Sequence, residues 1–347
     1  MTDRVISRET ADQLRVPWAL AGADEAAAML DQHRRELTGY CYRMLGSAFE
    51  AEDAVQETLV RAWRARDRFE GRATLNTWLH RIATNVCLDM LSGAQRRARP
   101  IDRGPAGSAE TPLGEMVSEA NWIWPIPDQR AVPDGGDPAE AAIARETLRL
   151  AFVAALQYLP PRQRAVLILR EVLDWKASEV AALLDTSVAS VNSALQRARA
   201  TLAARKADGA EPEPAHGDQH DLVERYVAAF ERYDLDALTA LLRKDATWSM
   251  PPFEMWLRGP REIRAFCLGP GIACRDSRLI PRLANGSPAF GQYKPAADGS
   301  YEPWALQVLE LSGDRLAGVT FFLDTARLFP LFGLPPRLDR QDLGQPG

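Results

Sequence analysis

Apolar residues recur at helical spacing from Asp24 onward: Ala27, Leu30, Leu37, Cys41, Met44 and Leu45, with Gly46 as a stop signal. A second helical stretch runs over Glu50–Arg68, with Ala54, Val55, Leu59, Ala62 and Trp63 on one face, and Phe69-Glu70-Gly71 breaks it. A third spans Thr74–Arg97, with Leu75, Trp78, Leu79, Ile82, Val86, Leu88 and Leu91 as its apolar set. These stretches form one small helical bundle over residues 24–99. Residues 1–23, interrupted by Pro17, read as a loose tail. Helical periodicity returns over Ala139–Leu159, Arg162–Val172, Lys176–Leu184 and Val188–Arg205, with Pro160-Pro161 and Asp185-Thr186-Ser187 between them. From Asp221 two short helices precede segments that alternate or run short and apolar: 246–250, 279–284, 288–293, 304–311 and 316–323. Helices followed by strands suggest a compact α+β domain over 218–334, with a disordered tail at 335–347.

Two segments lack periodicity. Residues 100–138 form a linker rich in proline and glycine. Across 100–140 the chain holds eight acidic residues against two basic ones, so the segment reads as extended and self-repelling. Asn121–Pro127 (NWIWPIP) is the exception, because two tryptophans in a pure spacer call for a docking surface. That surface is either a partner or the protein itself. Residues 207–217 form a second, polar linker between the helical unit 139–206 and the α+β domain.

Composition narrows the class. The 347 residues predict two to three domains at about 150 residues each. An apolar fraction of 46% with 26% charged residues excludes wholesale disorder. A net charge of -5 argues against a uniformly basic nucleic-acid coat and leaves room for a local basic patch. No window of eighteen consecutive apolar residues is present, so no membrane span is expected. The four cysteines form no CxxC pair and no cluster with histidine. Hence no metal site, disulfide framework or cofactor is expected, and a cytoplasmic location fits.

The strongest chemical signal lies at 176–205. A helix (KASEVAALL), a three-residue turn (DTS) and a longer helix (VASVNSALQRARATL) read as a helix-turn-helix. Val180, Leu183, Leu184, Val188, Val191 and Leu195 would pack the two helices together. Ser187, Ala189, Ser190, Asn192, Ser193 and Gln196 are left for base edges and phosphates, with Lys176, Arg197, Arg199, Arg205 and Lys206 supplying a local positive patch. A plain helical hairpin with a solvated basic face is the bland alternative.

With these residues in view, LPPRQRAVLILREVLDWKASEVAALLDTSVASVNSALQRARATL resembles the −35-reading region 4 of bacterial RNA polymerase sigma factors of the sigma-70 family. The extracytoplasmic-function type is the best match. AEDAVQETLVRAWRARDRFEGRATLNTWLHRIATNVCLDMLSGAQRRAR is similar to sigma region 2, which grips the polymerase clamp and melts the −10 element. The resemblance implies core RNA polymerase and promoter DNA as partners, duplex at −35 and melted at −10. It places Asp53, Gln56, Glu57, Leu59, Arg61 and Trp63 on the polymerase clamp, an acid-plus-aromatic anchor. It places Asn76, Thr77, His80, Arg81, Thr84 and Asn85 on the −10 strand, with Arg96 and Arg97 on upstream phosphates. Trp78 could stack on a base, but its spacing favours core packing. The acidic linker would thread a positively charged polymerase channel.

Residues 218–334 resemble a SnoaL-like cone, in which a curved sheet wraps a helix around an apolar pocket. Trp248, Met250, Trp256, Phe290 and Trp304 are its candidate ligand-pocket residues. Catalysis there would need a buried carboxylate or histidine. The domain offers only His216 and His220 at its edge and Asp245, Asp276 and Asp324 outside any motif. ANGSPAFGQY (284–293) is its nearest family-like stretch, with no evident role.

The whole is therefore expected to be a multidomain chain: two all-α sigma domains, the second a helix-turn-helix, and a C-terminal α+β SnoaL-like domain. The expected role is transcription initiation, with the C-terminal domain modulating the sigma domains in cis through an intramolecular contact. No anti-sigma factor can be named from sequence. A SnoaL-like isomerase or cyclase fused to a DNA-binding module, and a ligand-responsive helix-turn-helix repressor, are the alternatives.

Overall fold

The computed structural model describes Trp18 and residues 21–71, 73–133, 138–207 and 219–339. The expectations for most of residues 1–20, for the second linker and for the tail beyond Asp339 lie outside the described residues. Among the described residues no helix is long and apolar enough to cross a membrane.

The chain divides into two compact units. The first holds the described residues within 1–94, 130–135 and 160–199; the second holds those within 95–129, 136–159 and 200–347.

In the first unit, the opening apolar run is two helices, α1 (Ala23–Gln32) and α2 (Arg34–Leu45). Gly46 ends α2 in the left-handed region at φ 73°. Ser47 then caps α3 (Ala48–Arg64) by accepting from Glu50 N. Thr74 does the same for α4 (Leu75–Met90) by accepting from Thr77 N at 3.1 Å. The buried stripe of α3 is Ala48, Ala51, Ala54, Val55, Thr58, Leu59 and Ala62, small enough for α2 and α4 to approach closely. The second unit contributes α5 (Asp128–Ala131) in part, α6 (Pro138–Glu146) and α7 (Leu150–Leu156), so the single helix expected over 139–159 is broken at 147–149. The first unit resumes with α8 (Pro161–Leu167), a π turn (Ile168–Val172), α9 (Ala177–Leu183) and, up to Arg199, α10 (Val188–Ala207).

In the second unit, α11 (Gln219–Glu231) and α12 (Leu235–Ala240) precede a six-stranded sheet of order β2-β1-β6-β5-β4-β3. The strands are β1 (Leu242–Ser249), β2 (Trp256–Arg258), β3 (Arg278–Ala284), β4 (Ser287–Pro295), β5 (Tyr301–Ser312) and β6 (Arg315–Phe322). Neighbours are antiparallel except β1 and β6, which run parallel. Helices α13 (Pro260–Leu268) and α14 (Thr325–Leu331) had no clear sequence signal. Tyr226, Phe230, Trp248, Phe266, Phe290 and Phe321 form the aromatic heart of the core, with α11 against the concave face.

Two expectations need correction. Residues 335–339 are not a free tail: Leu338 is buried and exchanges both main-chain hydrogen bonds with Tyr301. The Pro-rich segment is not an extended spacer either. Residues 95–129 lie against the sheet as a strap, and Trp122, Ile123, Trp124 and Ile126 are buried.

The β3–β4 turn fixes the strap's end. Asn285 and Gly286 are left-handed at φ 56° and 66°, the Asn-Gly geometry of a two-residue hairpin. A Cβ on Gly286 would drive into the Arg145 carbonyl. Gly286→Ala should therefore cost about 1–3 kcal/mol of denaturant stability. Gly313→Ala, left-handed but facing open space, should cost less. Equal midpoint shifts in the two variants would contradict the close approach.

Candidate nucleic-acid interface

The helix-turn-helix is built by local hydrogen bonds that match its residues. Lys176 N donates to Glu179 Oε2 at 2.7 Å and starts α9. Asp185 takes φ 52°, and Thr186 N donates to Ala181 O, closing α9 with a left-handed residue. Ser187 caps α10 by accepting from Ser190 N at 3.1 Å. Val180, Ala181, Leu183, Val191, Leu195 and Ala198 are buried between the helices, whereas Val188 is 43% exposed and does not pack as expected. Lys176, Ser187, Ala189, Ser190, Asn192, Ser193, Gln196, Arg197 and Arg199 are all exposed. Ser187, Ala189 and Ser190 lie at the capped helix N-terminus, whose dipole suits phosphate, and Gln196, Arg197 and Arg199 lie further along the same helix. Arg199 is shared with Glu171, its Nε donating to Oε1 at 3.0 Å.

On α3 the polar face is equally open. Asp53, Gln56, Glu57, Arg61 and Trp63 are exposed, with Arg61 paired to Glu57 at 2.7 Å and to Asp89 at 3.5 Å. Trp63 is 41% exposed and Val60 40%, so the tryptophan belongs to the surface rather than the core. Leu59 is buried and supports the ridge from beneath.

Helix α4 sorts its candidates by face. Arg81 and Asn85, one turn apart, are exposed. Asn76 is half-buried and donates to Glu36 Oε1 at 3.2 Å, and Thr77 bonds back to Thr74. His80 and Thr84 are fully buried and so do not face solvent as expected of strand-binding groups. The His80 ring packs 5.3 Å from Tyr40 and 5.2 Å from Trp175, while Tyr40 OH and Thr84 Oγ1 hydrogen-bond at 2.7 Å. Nearby, the buried Arg164 donates to the Met44 carbonyl, and burial lowers its pKa to about 10. Arg96 is exposed over the Tyr158 ring, at 3.9 Å from its centroid. Arg97 departs from expectation: it is buried and donates to Glu119 O at 3.1 Å and Trp122 O at 2.8 Å. Its guanidinium holds the strap instead of reaching outward.

The strap hydrogen-bonds to strand β2 and to the turns β1–β2 and β3–β4. Gly107 N donates to Trp256 O, Val117 N to Pro252 O, and Trp256 Nε1 to Gly104 O. Asn285 closes the far end. Its main-chain N donates to Ile126 O, its Oδ1 accepts from Ile126 N at 3.0 Å, and its Nδ2 donates to Leu148 O at 2.7 Å. Gly286 N donates to Asp128 Oδ1 at 2.8 Å. Sequence reasoning singled out 284–293 without a role; the Asn-Gly pair was the readable signal for its turn.

The cone encloses a cavity of about 30 Å³ lined by Phe230, Tyr233, Trp248, Met250, Cys267 and Trp304, among others. Trp256 and Phe290 do not line it: Trp256 faces the strap, and Phe290 packs on Tyr226. Burial pushes the Cys267 thiol up to about 12 and raises Tyr233 and Cys274 as well, so the ionisable lining groups stay uncharged near neutrality. Asp245, Asp276, Asp324 and His220 all lie outside the lining. Asp324 caps α14, and His220 faces Glu224 at the surface. His216 lies outside the described residues.

The chain matches three family models: Sigma-70 region 2 over residues 29–97, Sigma-70 region 4 over 149–202, and the SnoaL-like domain over 223–317. It is 46% identical to the ECF RNA polymerase sigma factor SigG of Mycobacterium tuberculosis, covering 95% of this chain and 87% of that relative. It is 31% identical to SigJ of the same organism, over 68% of this chain and 70% of that one. The crystal structure of M. tuberculosis SigJ superposes with a TM-score of 0.56 at 23% identity, covering 90% of this chain and all of that one.

One consequence concerns pH. Burial lowers the His80 pKa, with Glu36 opposing, and half-buried His33 shifts the same way for the same reason. A histidine whose folded pKa lies below its unfolded value of about 6.5 destabilises as pH falls through that window. Stability of the first unit should therefore decline below about pH 6.5, less steeply in His80→Gln. The check is urea midpoints at a series of pH values; identical slopes for the two proteins would contradict the buried neutral ring.

Proposed function

The chain belongs to the extracytoplasmic-function RNA polymerase sigma factors, and we propose that it binds core RNA polymerase, directs it to −35/−10 promoters and melts the −10 element. The C-terminal SnoaL-like domain sets this activity in cis. One observation carries the DNA-reading role: every −35 candidate is exposed on a single capped helix-turn-helix whose apolar side is consumed by packing.

Each face has a matching task. The ridge of Asp53, Gln56, Glu57 and Trp63 has the acid-plus-aromatic chemistry of a hot spot for a basic partner helix. Arg81 and Asn85 supply charge and hydrogen-bonding capacity to an unstacked strand. Ser190, Asn192 and Gln196 reach base edges in a major groove, and Arg197 reaches phosphate. Buried His80 and Thr84 act as the scaffold that orients Arg81 and Asn85.

The strap supports cis control. A linker that threads a polymerase channel cannot at the same time keep Trp122 and Trp124 buried on the sheet. Docking on the cone and insertion in polymerase are then alternatives, and the Asn285 contacts bias the balance toward docking. An isomerase or cyclase would need a base inside the cone. Among the described residues the cavity lining offers neither carboxylate nor imidazole.

Run-off transcription with core polymerase tests the main reading. The purified chain should yield promoter-specific transcripts, and Asp53→Ala with Gln56→Ala should abolish polymerase binding while thermal unfolding stays unchanged. No transcript from any template, or full binding by the double variant, would refute it. For cis control, Asn285→Ala should raise transcript yield by about fivefold or more at fixed sigma concentration, the scale of an ordinary coupling energy. An unchanged yield would remove the latch from the account.

A further inference from the structure

Residues ahead of α1 read as a loose tail, yet Trp18 is only 2% exposed. Its ring lies 5.9 Å from Phe69 and 5.4 Å from Trp78, and those two rings lie 5.2 Å apart. The three form a closed aromatic cluster of edge-on and tilted pairs. Trp18 Nε1 donates to Ala26 O at 3.1 Å, which ties the hook to α1. Arg66 clasps it from the other side: Nε donates to Trp18 O at 3.2 Å and Nη2 donates to Ala21 O. The same guanidinium sits 5.8 Å from the Trp18 ring and 5.6 Å from the Trp63 ring.

These contacts fall where region 2 has least support of its own. Residues 70, 71, 73 and 74 are exposed, and α4 begins immediately after them at Leu75. Trp78 stands on the first turn of α4, three residues before Arg81 and seven before Asn85. The aromatic partners found for Trp78 are Phe69 and Trp18. Arg66 in turn connects the hook to Trp63 on the ridge proposed for polymerase. In sequence the exposed Arg64, Arg68 and Arg81 alternate with these aromatics, and cations interleaved with aromatic rings are the composition that single-stranded nucleic acid selects.

We infer that the N-terminal hook is part of the strand-opening machinery: Trp18, clasped by Arg66, is a positioning residue that fixes Phe69 and Trp78 so that the start of α4 can capture an unstacked promoter strand. Buried Trp18 does not touch DNA itself; it acts through Trp78 and the helix that carries Arg81 and Asn85. This inference rests on the sigma-factor reading and adds to region 2 a segment that lies before residue 29, where the family match begins.

The test uses the full chain with core polymerase and a duplex template that the wild-type holoenzyme selects from a randomised library. Electrophoretic retention reads binding to the closed duplex, and permanganate reactivity of unpaired thymines reads opening. Trp18→Ala should keep duplex retention and polymerase binding within about twofold but lose opening by about tenfold, the scale of one base-stacking contact. Trp18→Phe, which keeps an aromatic ring in the cluster, should restore most of the opening. Arg66→Gln serves as a second variant should Trp18→Ala fail to fold, and should show the same separation of binding from opening. Normal opening in Trp18→Ala or Arg66→Gln overturns the inference. So does a parallel loss of duplex binding and opening, which would make the hook a stability element. Failure of the wild-type chain to retain or open any duplex would instead count against the sigma-factor reading.

Discussion

A main chain interrupted by proline cannot satisfy its own hydrogen-bonding groups, and this constraint shapes the second unit. Between residues 95 and 129 the prolines at 100, 105, 112, 125 and 127 exclude both a continuous helix and a regular strand. Buried amide and carbonyl groups still need partners. The segment takes them from a strand and two turns of the C-terminal domain: Gly107 from Trp256 of β2, Val117 from Pro252 between β1 and β2, and Ile126 from Asn285 between β3 and β4. Once those bonds are made, the neighbouring side chains have little choice. Trp122, Ile123, Trp124 and Ile126 are pressed onto apolar surface, and Arg97 is drawn inward to the Glu119 and Trp122 carbonyls. The price of detaching the strap is thus set by main-chain groups and two tryptophans together.

That dependence explains which parts were legible. The helix-turn-helix was readable because period, cap and turn residues agree locally: Ser187 as cap, Asp185 as a left-handed turn residue, and Val180, Leu183, Val191 and Leu195 as a stripe. The sheet was readable at β1 and at β3 to β6, where short apolar or alternating runs are punctuated by glycine-containing turns, and only the three-residue β2 gave no signal. Hidden features were those decided by distant partners. Arg97 looks like any basic residue at a helix end, and only the strap's carbonyls make it internal. His80 sits in a helix of mixed polarity, and Tyr40 and Trp175, far along the chain in both directions, decide which way it faces. Trp18 follows a proline in a stretch without periodicity, so nothing local revealed its docking. Acidic composition pointed to a self-repelling linker, but charge repulsion between exposed side chains is weak beside burial of two indoles.

The candidate site shows the same division. All the −35 candidates were read correctly as surface, because a helix packed on one side exposes the other. On α4 the same reasoning failed for His80 and Thr84, since that helix is covered on more than one side: by Tyr40 of α2 and, at His80, also by Trp175. Arg81 and Asn85 are what remains exposed. Polar residue type alone therefore overestimates a binding face, and the number of packed neighbours around a helix determines how much of it can serve a ligand.

Charge adds a final argument. The chain is acidic overall, at -5, yet its DNA-facing candidates near the recognition helix carry Lys176, Arg197 and Arg199. Arg205 and Lys206 follow on the same helix, so counterion release adds to the affinity in proportion to the phosphates neutralised. Arg199 is engaged by Glu171, and exchanging that carboxylate for phosphate returns less than an unpaired arginine would. The ridge on α3 has the opposite character, with Asp53 and Glu57 exposed beside Trp63. Positive charge on the recognition helix and carboxylates on the α3 ridge give one acidic chain two faces of opposite sign, the first suited to a nucleic acid and the second to a basic protein surface.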